Sequence, residues 1–288
     1  MSPKGSSQMS SNLETVGQKD IYYLSFPEAK SVVVCGDIHG DFNSVISKLC
    51  LQYQLENTLL IVAGDCGFGF NEIGYYKEVA RHHRKRLNDS NNWVVFVRGN
   101  HDNPAYFDGK TINHKRFIAV PDYSIIQADG FTILCVGGAI SIDRQYRIKA
   151  RQQKEGKEGR FPSLDAQDPL EPNYYWVNES PILDTEKLAV IGEQFKVNTV
   201  ITHTAPSFCE LQSKLGLASW CLNDENLMDD VNVERAIMDQ LYQYLKETNH
   251  PISHWCYGHF HQSWHQNING TFSLSSANLC MFTTVISA

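Results

Sequence analysis

Short runs of apolar residues alternate with helical patterns through the first hundred residues. Three runs rich in β-branched side chains, Val32–Val34, Thr58–Ala63 and Trp93–Val97, predict buried strands. Apolar positions at helical spacing follow the first run, from Phe42 to Leu49, and the second run, over Asn71–Leu87. Because strands and helices alternate in this way, the pattern predicts βαβαβ units and a largely parallel sheet.

The rest of the sequence contains more strand patterns than helical ones. Phe117–Val120, Tyr123–Gln127 and Phe131–Val136 predict a three-stranded meander with a turn at Asp129 and Gly130. The other predicted elements are a short strand over Ile21–Phe26, helices over Leu183–Phe195 and Val231–Lys246, strands over Thr199–Thr202 and Ser253–Tyr257, and a hairpin over Ile268–Leu274. These elements predict an α/β fold to which both halves of the chain contribute strands.

Polar segments divide the sequence into a tail, a domain and an insertion. Residues 1–19 are rich in Ser, Gly, Lys and Gln without apolar periodicity, which predicts a disordered N-terminal tail. Residues 20–288 are long enough for one large α/β domain. Within this domain, residues 144–181 combine a basic run with several prolines and an aromatic group, so we interpret them as an insertion rather than as core structure.

Composition and charge exclude several classes of protein. The net charge is −7, and 42% of the residues are hydrophobic, so neither an extended nucleic-acid surface nor binding to an acidic membrane is expected. No apolar run approaches the roughly 20 residues of a membrane span, and no signal-peptide pattern is visible. The eight cysteines show no CxxC spacing, which favours reduced thiols in a cytoplasmic protein over a disulfide framework.

Polar side chains with metal-binding potential follow five of the predicted strands. They are Asp37, His39, Asp65, Asn100, His101, His203, His259 and His261. Sites in open α/β sheets lie beyond the carboxyl ends of strands, where these residues fall. Buried carboxylates and imidazoles are costly unless something neutralises them, and divalent metal does so directly. By contrast, we interpret His82 and His83 as solvated, because they lie among Arg and Lys on a helical face.

Five short motifs resemble those of the calcineurin-like metallophosphoesterases. They are GDIHG at 36–40, GDCG at 64–67, GNHD at 99–102, ITHTAP at 201–206 and GHFH at 258–261. The resemblance implies a four-layer αββα fold, in which a central β-sandwich of two mixed sheets is flanked by helices. It also implies two adjacent metal ions. The first would be held by Asp37, His39 and His261, the second by Asn100, His203 and His259, and Asp65 would bridge both. Carboxylate, amide and imidazole ligands suit Mn²⁺ best here, with Fe or Zn as alternatives, and the lack of thiolate ligands argues against a structural zinc site.

The expected reaction is hydrolysis of a phosphate ester. A hydroxide between the two metals would attack phosphorus in line with the leaving group. The resemblance assigns His101 to transition-state stabilisation or to protonation of the leaving oxygen, and Asp102 is a candidate to orient it. Arg98 and Arg144 are candidate phosphate clamps, because a guanidinium matches phosphate bidentately.

The motifs depart from those of one branch of the superfamily. Protein Ser/Thr phosphatases read GDxVDRG at the second motif, whereas residues 64–69 here read GDCGFG and lack the second Asp and the Arg. The motif resembles instead the small prokaryotic and phage-type phosphoesterases. A protein phosphatase is therefore an alternative, as is a nuclease or cyclic-nucleotide phosphodiesterase, which the absence of a long basic track disfavours. A non-catalytic scaffold is disfavoured because all seven ligands are present.

The insertion at 144–181 is the candidate specificity element. Its basic half could receive a second phosphate, a nucleotide or a phosphopeptide, and its aromatic half could stack on a base. The alternative is a solvated charged loop whose aromatic residues pack on the domain. The sequence does not identify the physiological substrate or the oligomeric state.

Overall fold

The computed structural model describes residues 21–157, 175–211, 213–268, 272–276 and 283–285. The predicted tail at 1–19 and residues 158–174 of the predicted insertion lie outside the described residues. None of the helices in the described ranges is long and apolar enough to cross a membrane.

Strands form the centre of the molecule, and most were predicted to within two residues. They are β1 (Tyr23–Phe26), β2 (Ser31–Cys35), β3 (Thr58–Ala63), β4 (Trp93–Val97), β5 (Asn113–His114), β6 (Phe117–Ala119), β7 (Ser124–Ala128), β8 (Phe131–Val136), β9 (Thr199–Thr202), β10 (His254–Tyr257), β11 (Trp264–Ile268), β12 (Phe272–Ser276) and β13 (Thr283–Val285). The apolar β-branched runs therefore mark the buried strands.

The helices lie between the strands in sequence. They are α1 (Phe42–Ser47), α2 (Ile73–Asp89), α3 (Arg144–Lys157), α4 (Thr185–Gln194), α5 (Leu217–Cys221) and α6 (Leu227–Glu247), and a π-helical turn over Lys48–Gln52 extends α1. Asp41 caps α1, because its carboxylate accepts a hydrogen bond from the Ser44 backbone N–H at 3.1 Å. Asp184 caps α4 in the same way, with the Lys187 N–H at 2.9 Å.

Two sheets pack face to face. One has the order β13-β2-β3-β4-β6-β5, and its four central strands are parallel, which confirms the predicted βαβαβ arrangement. The other has the order β1-β7-β8-β9-β10-β12-β11 and is mixed, with antiparallel pairs at β7-β8 and β11-β12. The second of these pairs is the hairpin that the sequence predicted near its C-terminal end.

Three apolar clusters hold the layers together. Val32 and Val34 of β2 pack between the two sheets with residues such as Ile133 of β8. Val33 points the other way and packs with Phe42 beneath α1 and α2. A third cluster joins the outer face of the second sheet to α4 and α6. Because a strand that is buried on both faces needs apolar residues at every position, the sequence of β2 is a continuous apolar run. The four-layer αββα fold is thereby confirmed.

The predicted meander is wrong. β6 pairs with β4 in the first sheet, whereas β7 and β8 form a hairpin in the second. Pro121 lies between β6 and β7 and has no N–H with which to continue a strand ladder. The hairpin turn itself lies where it was predicted, at Asp129 and Gly130, whose φ angles are 48° and 78°. An apolar strand pattern does not encode which of two sheets the strand joins.

The predicted insertion contains a helix and buried residues. Arg144–Lys157 form α3, a helix that was not predicted within the insertion. Apolar periodicity missed this helix because its sequence has almost no apolar stripe. Trp176 and Glu179, farther along the same segment, are buried. The part of the insertion that the structure describes therefore belongs partly to the packed interior.

His83 is buried rather than solvated, whereas His82 is exposed as expected. The Nε2 atom of His83 lies 2.7 Å from the Asn43 Oδ1 atom, which links α2 to α1. Burial, together with the neighbouring His82 and Arg86, lowers the pKa of His83 to about 4. This histidine is therefore a neutral structural contact between two helices.

Candidate metal centre

The loops that follow β2, β3, β4, β9 and β10 meet at one edge of the sandwich. The Asp37 N–H donates to the Gly64 carbonyl at 3.1 Å, and the Gly258 N–H donates to the His203 carbonyl at 3.0 Å. The two sheets are joined where the His259 N–H donates to the Asp37 carboxylate at 3.0 Å. The structure thus brings together strand-end side chains that the sequence places more than 200 residues apart.

Asp37, His39 and His261 surround one side of Asp65. One ligand atom from each of these four residues lies within 4.8 Å of all the others. The His39 and His261 Nε2 atoms are 3.3 Å apart, and His261 Nε2 is 3.6 Å from Asp37 Oδ1. These atoms therefore converge on a volume about the size of one cation.

Asn100, His203 and His259 surround the other side of Asp65. Asn100 Oδ1 lies 2.9 Å from His203 Nε2 and 3.0 Å from His259 Nδ1. His203 Nε2 in turn lies 3.2 Å from Asp65 Oδ1. A second set of converging oxygen and nitrogen atoms thus shares Asp65 with the first.

The buried carboxylates provide the test of whether these residues fit metal ions. Asp65 is completely buried, and among the described residues neither its Oδ2 atom nor Asp37 Oδ2 has a hydrogen-bond partner. A buried carboxylate oxygen without a partner is costly, and a bound cation removes that cost. Carboxylate, amide and imidazole donors in this number suit transition-metal dications. The residues present therefore fit a pair of metal ions.

The pKa shifts at the centre also fit bound metal ions. Burial raises the pKa of Asp37 to about 7, and the nearby charge of Asp65 adds to the increase. Burial lowers the pKa of His203, but the Asp65 carboxylate outweighs it and raises this pKa to about 9. The two carboxylates thus lie close together in a buried space, where a cation would stabilise their negative charge.

Five of the candidate ligands have left-handed backbone. The φ angles are 55° at Asp37, 45° at His39, 48° at Asp65, 71° at His259 and 56° at His261. Non-glycine residues rarely adopt this region, and those that do concentrate at functional sites. The left-handed backbone is unfavourable for these residues, but it turns their side chains towards one point.

Two motif glycines permit the close approach of the loops. A Cβ atom on Gly64 would lie 2.1 Å from His203 Nδ1, and a Cβ atom on Gly99 would lie 2.0 Å from the backbone nitrogen of Asp65. Only glycine fits at these positions without displacing a candidate ligand.

The candidate ligands are held by a second layer of contacts. His203 Nδ1 lies 2.8 Å from the Ala63 carbonyl, so its hydrogen belongs on Nδ1, and Nε2 is left to face the centre. Asn100 Nδ2 donates to Ser141 Oγ at 2.8 Å, and Ser141 Oγ donates to the Glu179 carboxylate at 2.6 Å. This chain of hydrogen bonds turns the Asn100 oxygen towards His203.

Sequence reasoning missed Ser141 and Glu179. Glu179 is 2% exposed, and burial raises its pKa to about 8. It stands alone between polar residues of the insertion and belongs to no motif. The only available signal was its position beside Trp176, which is itself buried.

His101 lies beside Asp65 but outside both groups of ligand atoms. Its Nε2 atom is 3.9 Å from Asp65 Oδ2, and its Nδ1 atom is buried without a hydrogen-bond partner in the described ranges. Burial lowers its pKa to about 4, although the Asp65 charge opposes this shift. The imidazole is therefore neutral in the structure as described.

Asp102 supports the loops rather than His101. Its Oδ2 atom accepts hydrogen bonds from the Cys66 and Gly99 N–H groups at 2.9 and 2.8 Å. Its Oδ1 atom accepts from Gly67 and Phe68 at 2.7 and 2.9 Å. Four backbone donors occupy this carboxylate, which ties the loop after β3 to the loop after β4. The orienting role predicted for Asp102 does not agree with these contacts.

The guanidinium of Arg98 is bound into the protein scaffold. The side chain is buried, with Nη1 donating to the Glu179 carbonyl at 2.8 Å and Nη2 donating to Asp122 Oδ2 at 2.9 Å. These contacts connect the end of β4 to the insertion. They give Arg98 a structural role, and its phosphate-clamp role stays a prediction.

Arg144 is likewise occupied. Its Nε atom lies 2.6 Å from Asp224 Oδ2, and its Nη2 atom lies 2.6 Å from Asp230 Oδ2. The hydrogen bond to Asp224 raises the pKa of Arg144, with Asp230 adding to the effect. Carboxylates neutralise this guanidinium, and its phosphate-clamp role likewise stays a prediction. Because both partners lie about 80 residues away in sequence, this pairing could not be read from the local pattern.

The chain is similar to several known proteins in sequence or in fold. Serine/threonine-protein phosphatase ppe1 of Schizosaccharomyces pombe is 26% identical to this protein over 260 residues, which cover 74% of this chain and 82% of that protein. The crystal structure of TT1561 of Thermus thermophilus covers 90% of this chain and 100% of its own, with a TM-score of 0.50 and 10% identity, and shows the same fold. A dimetal phosphatase from Danio rerio covers 88% of each chain, with 10% identity and a TM-score of 0.44.

The family assignment rests on the sequence. The model of the family described as calcineurin-like phosphoesterase matches residues 30–263. This range contains all five motifs and every candidate metal ligand. It also covers most of the 288 residues. The chain therefore belongs to the calcineurin-like phosphoesterase family.

Proposed function

We propose that this protein hydrolyses phosphomonoesters, phosphodiesters or both in a reaction that depends on two metal ions. The observation that carries the proposal is the pair of converging ligand groups that share the buried Asp65 carboxylate. Membership of the calcineurin-like phosphoesterases supports the same class of reaction.

Seven side chains would hold the two ions. In this proposal Asp37, His39 and His261 bind the first ion, Asn100, His203 and His259 bind the second, and Asp65 contacts both. Mn²⁺ is the first candidate, with Fe and Zn as alternatives, because the donors are oxygen and nitrogen without thiolate. When bound, two such ions supply Lewis acidity and lower the pKa of a water molecule that can act as nucleophile.

His101 is the proposed proton donor. It is the imidazole beside Asp65 that belongs to neither ligand group, and its Nδ1 atom has no competing partner in the described structure. A bound anionic phosphate favours the protonated imidazolium, which can pass one proton to the leaving oxygen of the ester and return to the neutral imidazole. Asp65 would hold His101 in place through the His101 backbone N–H, which donates to Asp65 Oδ1 at 2.9 Å.

Two cations that the sequence did not single out act on the centre, and one of them, Arg147, does so while paired with Asp143 at 2.8 Å. Burial lowers the pKa of His39 and His101, and the positive charges of Arg147 and Lys214 lower both pKa values further. These charges therefore act on the centre itself. We propose that Arg147 and Lys214 contribute to binding the phosphate of the substrate.

A protein Ser/Thr phosphatase is the second candidate. The observation that favours it is the 26% identity to a serine/threonine-protein phosphatase over 82% of that protein. The sequence of residues 64–69 opposes it, because it lacks the second Asp and the Arg of GDxVDRG. A phosphopeptide substrate separates this candidate from a small-molecule phosphoesterase.

We further propose that residues 20–288 form one domain with an insertion at 144–181. The buried Glu179, which supports Asn100 through Ser141, favours an insertion that folds with the domain. A cytoplasmic location is also proposed. The seven cysteines in the described ranges are free thiols, as expected of a reducing compartment.

A substrate panel tests the proposed function. The full-length protein with added Mn²⁺ is assayed on p-nitrophenyl phosphate, bis-p-nitrophenyl phosphate and a phosphoserine peptide, with EDTA-treated protein as the control. We expect Mn²⁺-dependent release from at least one of the two nitrophenyl esters. Release from the peptide alone would support the second candidate. No metal-dependent release from any of the three would contradict both proposals.

A further inference from the structure

A basic cavity lies on the molecule away from the metal centre. It has a volume of about 400 Å³ and is formed between α2 and the β5-β6 edge of the first sheet. Its polar lining consists mainly of cationic side chains: Lys77, Arg81, Arg84, Lys115 and Arg116. The volume falls within the usual range for small-molecule sites, roughly 300–1,000 Å³.

The helix presents its cations to the cavity as one face. Lys77, Arg81 and Arg84 stand at positions i, i+4 and i+7 of α2, which lie on one side of a helix. Ala80 and Leu87, on the same side, give the cavity an apolar floor. The neighbouring Lys85 points elsewhere and pairs with Asp89. The cationic lining is therefore a property of this face and not of the whole helix.

The positive charge of the lining is only partly neutralised. No Asp or Glu is among the residues that line the cavity. Arg81 pairs with the exposed Glu78 outside the lining, whereas Arg116 bonds to neutral oxygens of Asn88 and Asn91, both at 2.7 Å. In a protein with a net charge of −7, such a concentration of cations creates a local positive potential.

The cavity is separate from the metal centre. The candidate ligands follow the carboxyl ends of the parallel strands, whereas Arg116 and Phe117 line the cavity at the amino end of β6. The parallel neighbour β4 has 5 residues, and a strand of that length spans roughly 16 Å. A ligand in the cavity would therefore bind without contacting the proposed metal ligands.

We propose that this cavity binds a small polyanion that carries two or more phosphate groups. Lys77 and Arg84 are seven residues apart on α2, which is about 10 Å along a helix axis. A chain of phosphates is long enough to contact both cations at once. Guanidinium groups bind phosphate oxygens bidentately, and a chain of phosphates presents more negative charge to this group of cations than a single carboxylate does. This proposal does not depend on the proposed catalytic function.

Calorimetric titration with tripolyphosphate tests the proposal on the full-length, metal-loaded protein. Arg84→Gln removes a cation from the cavity, and Lys85→Gln makes the same change of charge at the next residue, outside the cavity. We expect Arg84→Gln to weaken binding roughly tenfold, as loss of a charge-assisted hydrogen bond does, and Lys85→Gln to change it less than twofold. Lys77→Gln should weaken the binding of tripolyphosphate more than the binding of orthophosphate.

Several outcomes would overturn the proposal. The first is that tripolyphosphate does not bind, and the second is that wild type and Arg84→Gln bind it with equal affinity. The third is that Arg84→Gln and Lys85→Gln weaken binding equally, which would show a diffuse electrostatic attraction rather than a site. Any binding at the metal centre is common to all of these proteins and cancels in the comparison.

Titration with ADP identifies the source of the phosphates. Tighter binding of ADP than of pyrophosphate would mean that the cavity takes a nucleotide, and the reverse would mean an inorganic polyphosphate. Hydrolysis of p-nitrophenyl phosphate should be the same in wild type, Arg84→Gln and Lys85→Gln.

Discussion

At the scale of single residues, the metal centre contains polar atoms that the rest of the protein leaves without partners. Asp37 Oδ2, Asp65 Oδ2 and His101 Nδ1 are all buried, and none has a hydrogen-bond partner in the described ranges. Two of these atoms belong to candidate metal ligands, and the third belongs to the proposed proton donor. Each is costly in a folded protein unless a ligand or substrate engages it.

His101 should matter for rate and not for metal binding. We expect His101→Ala to keep its metal content and to lose about 10²–10⁴-fold in kcat on an ester with a poor leaving group. The loss should be much smaller on p-nitrophenyl phosphate, whose leaving group needs little protonation. Steady-state kinetics on the two esters, with the metal content of each preparation, checks this. Full activity on the poor leaving group would exclude the proton-donor role.

Ser141 should act on the second group of ligands through Asn100. Ser141→Ala removes the acceptor for Asn100 Nδ2, so the amide is no longer held with its oxygen towards His203. Loss of such a supporting contact typically weakens metal affinity by about 10–100-fold. Titration with Mn²⁺, followed by electron paramagnetic resonance of the free ion, should show one weakened site and one unchanged site. Two unchanged sites would contradict this role.

At the scale of elements, the loops at the centre are fixed to one another by backbone contacts. Asp102 is the clearest case, because one carboxylate accepts four N–H groups from the loops after β3 and β4. These loops carry Asp65 and Asn100. The positions of the candidate ligands therefore depend on a residue that does not itself face them.

Replacement of Asp102 should loosen both loops. In Asp102→Asn, the amide nitrogen cannot accept, so two backbone N–H groups lose their partner. We expect the free energy of unfolding to fall by about 1–3 kcal/mol, which is typical of buried donors left unsatisfied. Urea denaturation measures it, and Asp89→Asn on the exposed face of α2 is the matched control. Equal stability of Asp102→Asn and wild type would show that these contacts are dispensable.

The contact of His83 between α1 and α2 makes stability depend on pH. Burial lowers the pKa of His83 to about 4, whereas an unfolded histidine titrates near about 6.5. Between these values the unfolded chain binds a proton that the folded protein does not, so the free energy of unfolding falls as the pH falls from 6.5 towards 4.

A variant isolates the contribution of His83. His83→Gln cannot titrate and keeps a donor for Asn43, so it should lose less stability than wild type between pH 7 and pH 5. Urea denaturation at both pH values checks this, because every other group titrates in both proteins. An identical loss in the two proteins would rule out His83 as the source.

At the scale of the whole molecule, the sequence allowed prediction of the parts with strong local signals. Each candidate metal ligand follows a buried strand or its turn, and the carboxyl ends of parallel strands meet, so their proximity followed from topology. The ion pairs of Arg98 and Arg144 were not predicted, because their carboxylate partners, Asp122 and Asp224, are distant in sequence. Glu179 was missed because a lone buried carboxylate has no periodic pattern.

Metal stoichiometry tests the central proposal most directly. The full-length protein is incubated with Mn²⁺, desalted and analysed by mass spectrometry of its metal content, beside Asp65→Asn and the exposed control Asp89→Asn. Two ligand groups that share Asp65 predict about two ions per chain in wild type and the control, and fewer than about one in Asp65→Asn. A folded wild-type protein that retains no metal, or an Asp65→Asn variant that retains two ions, would contradict the proposed dinuclear centre.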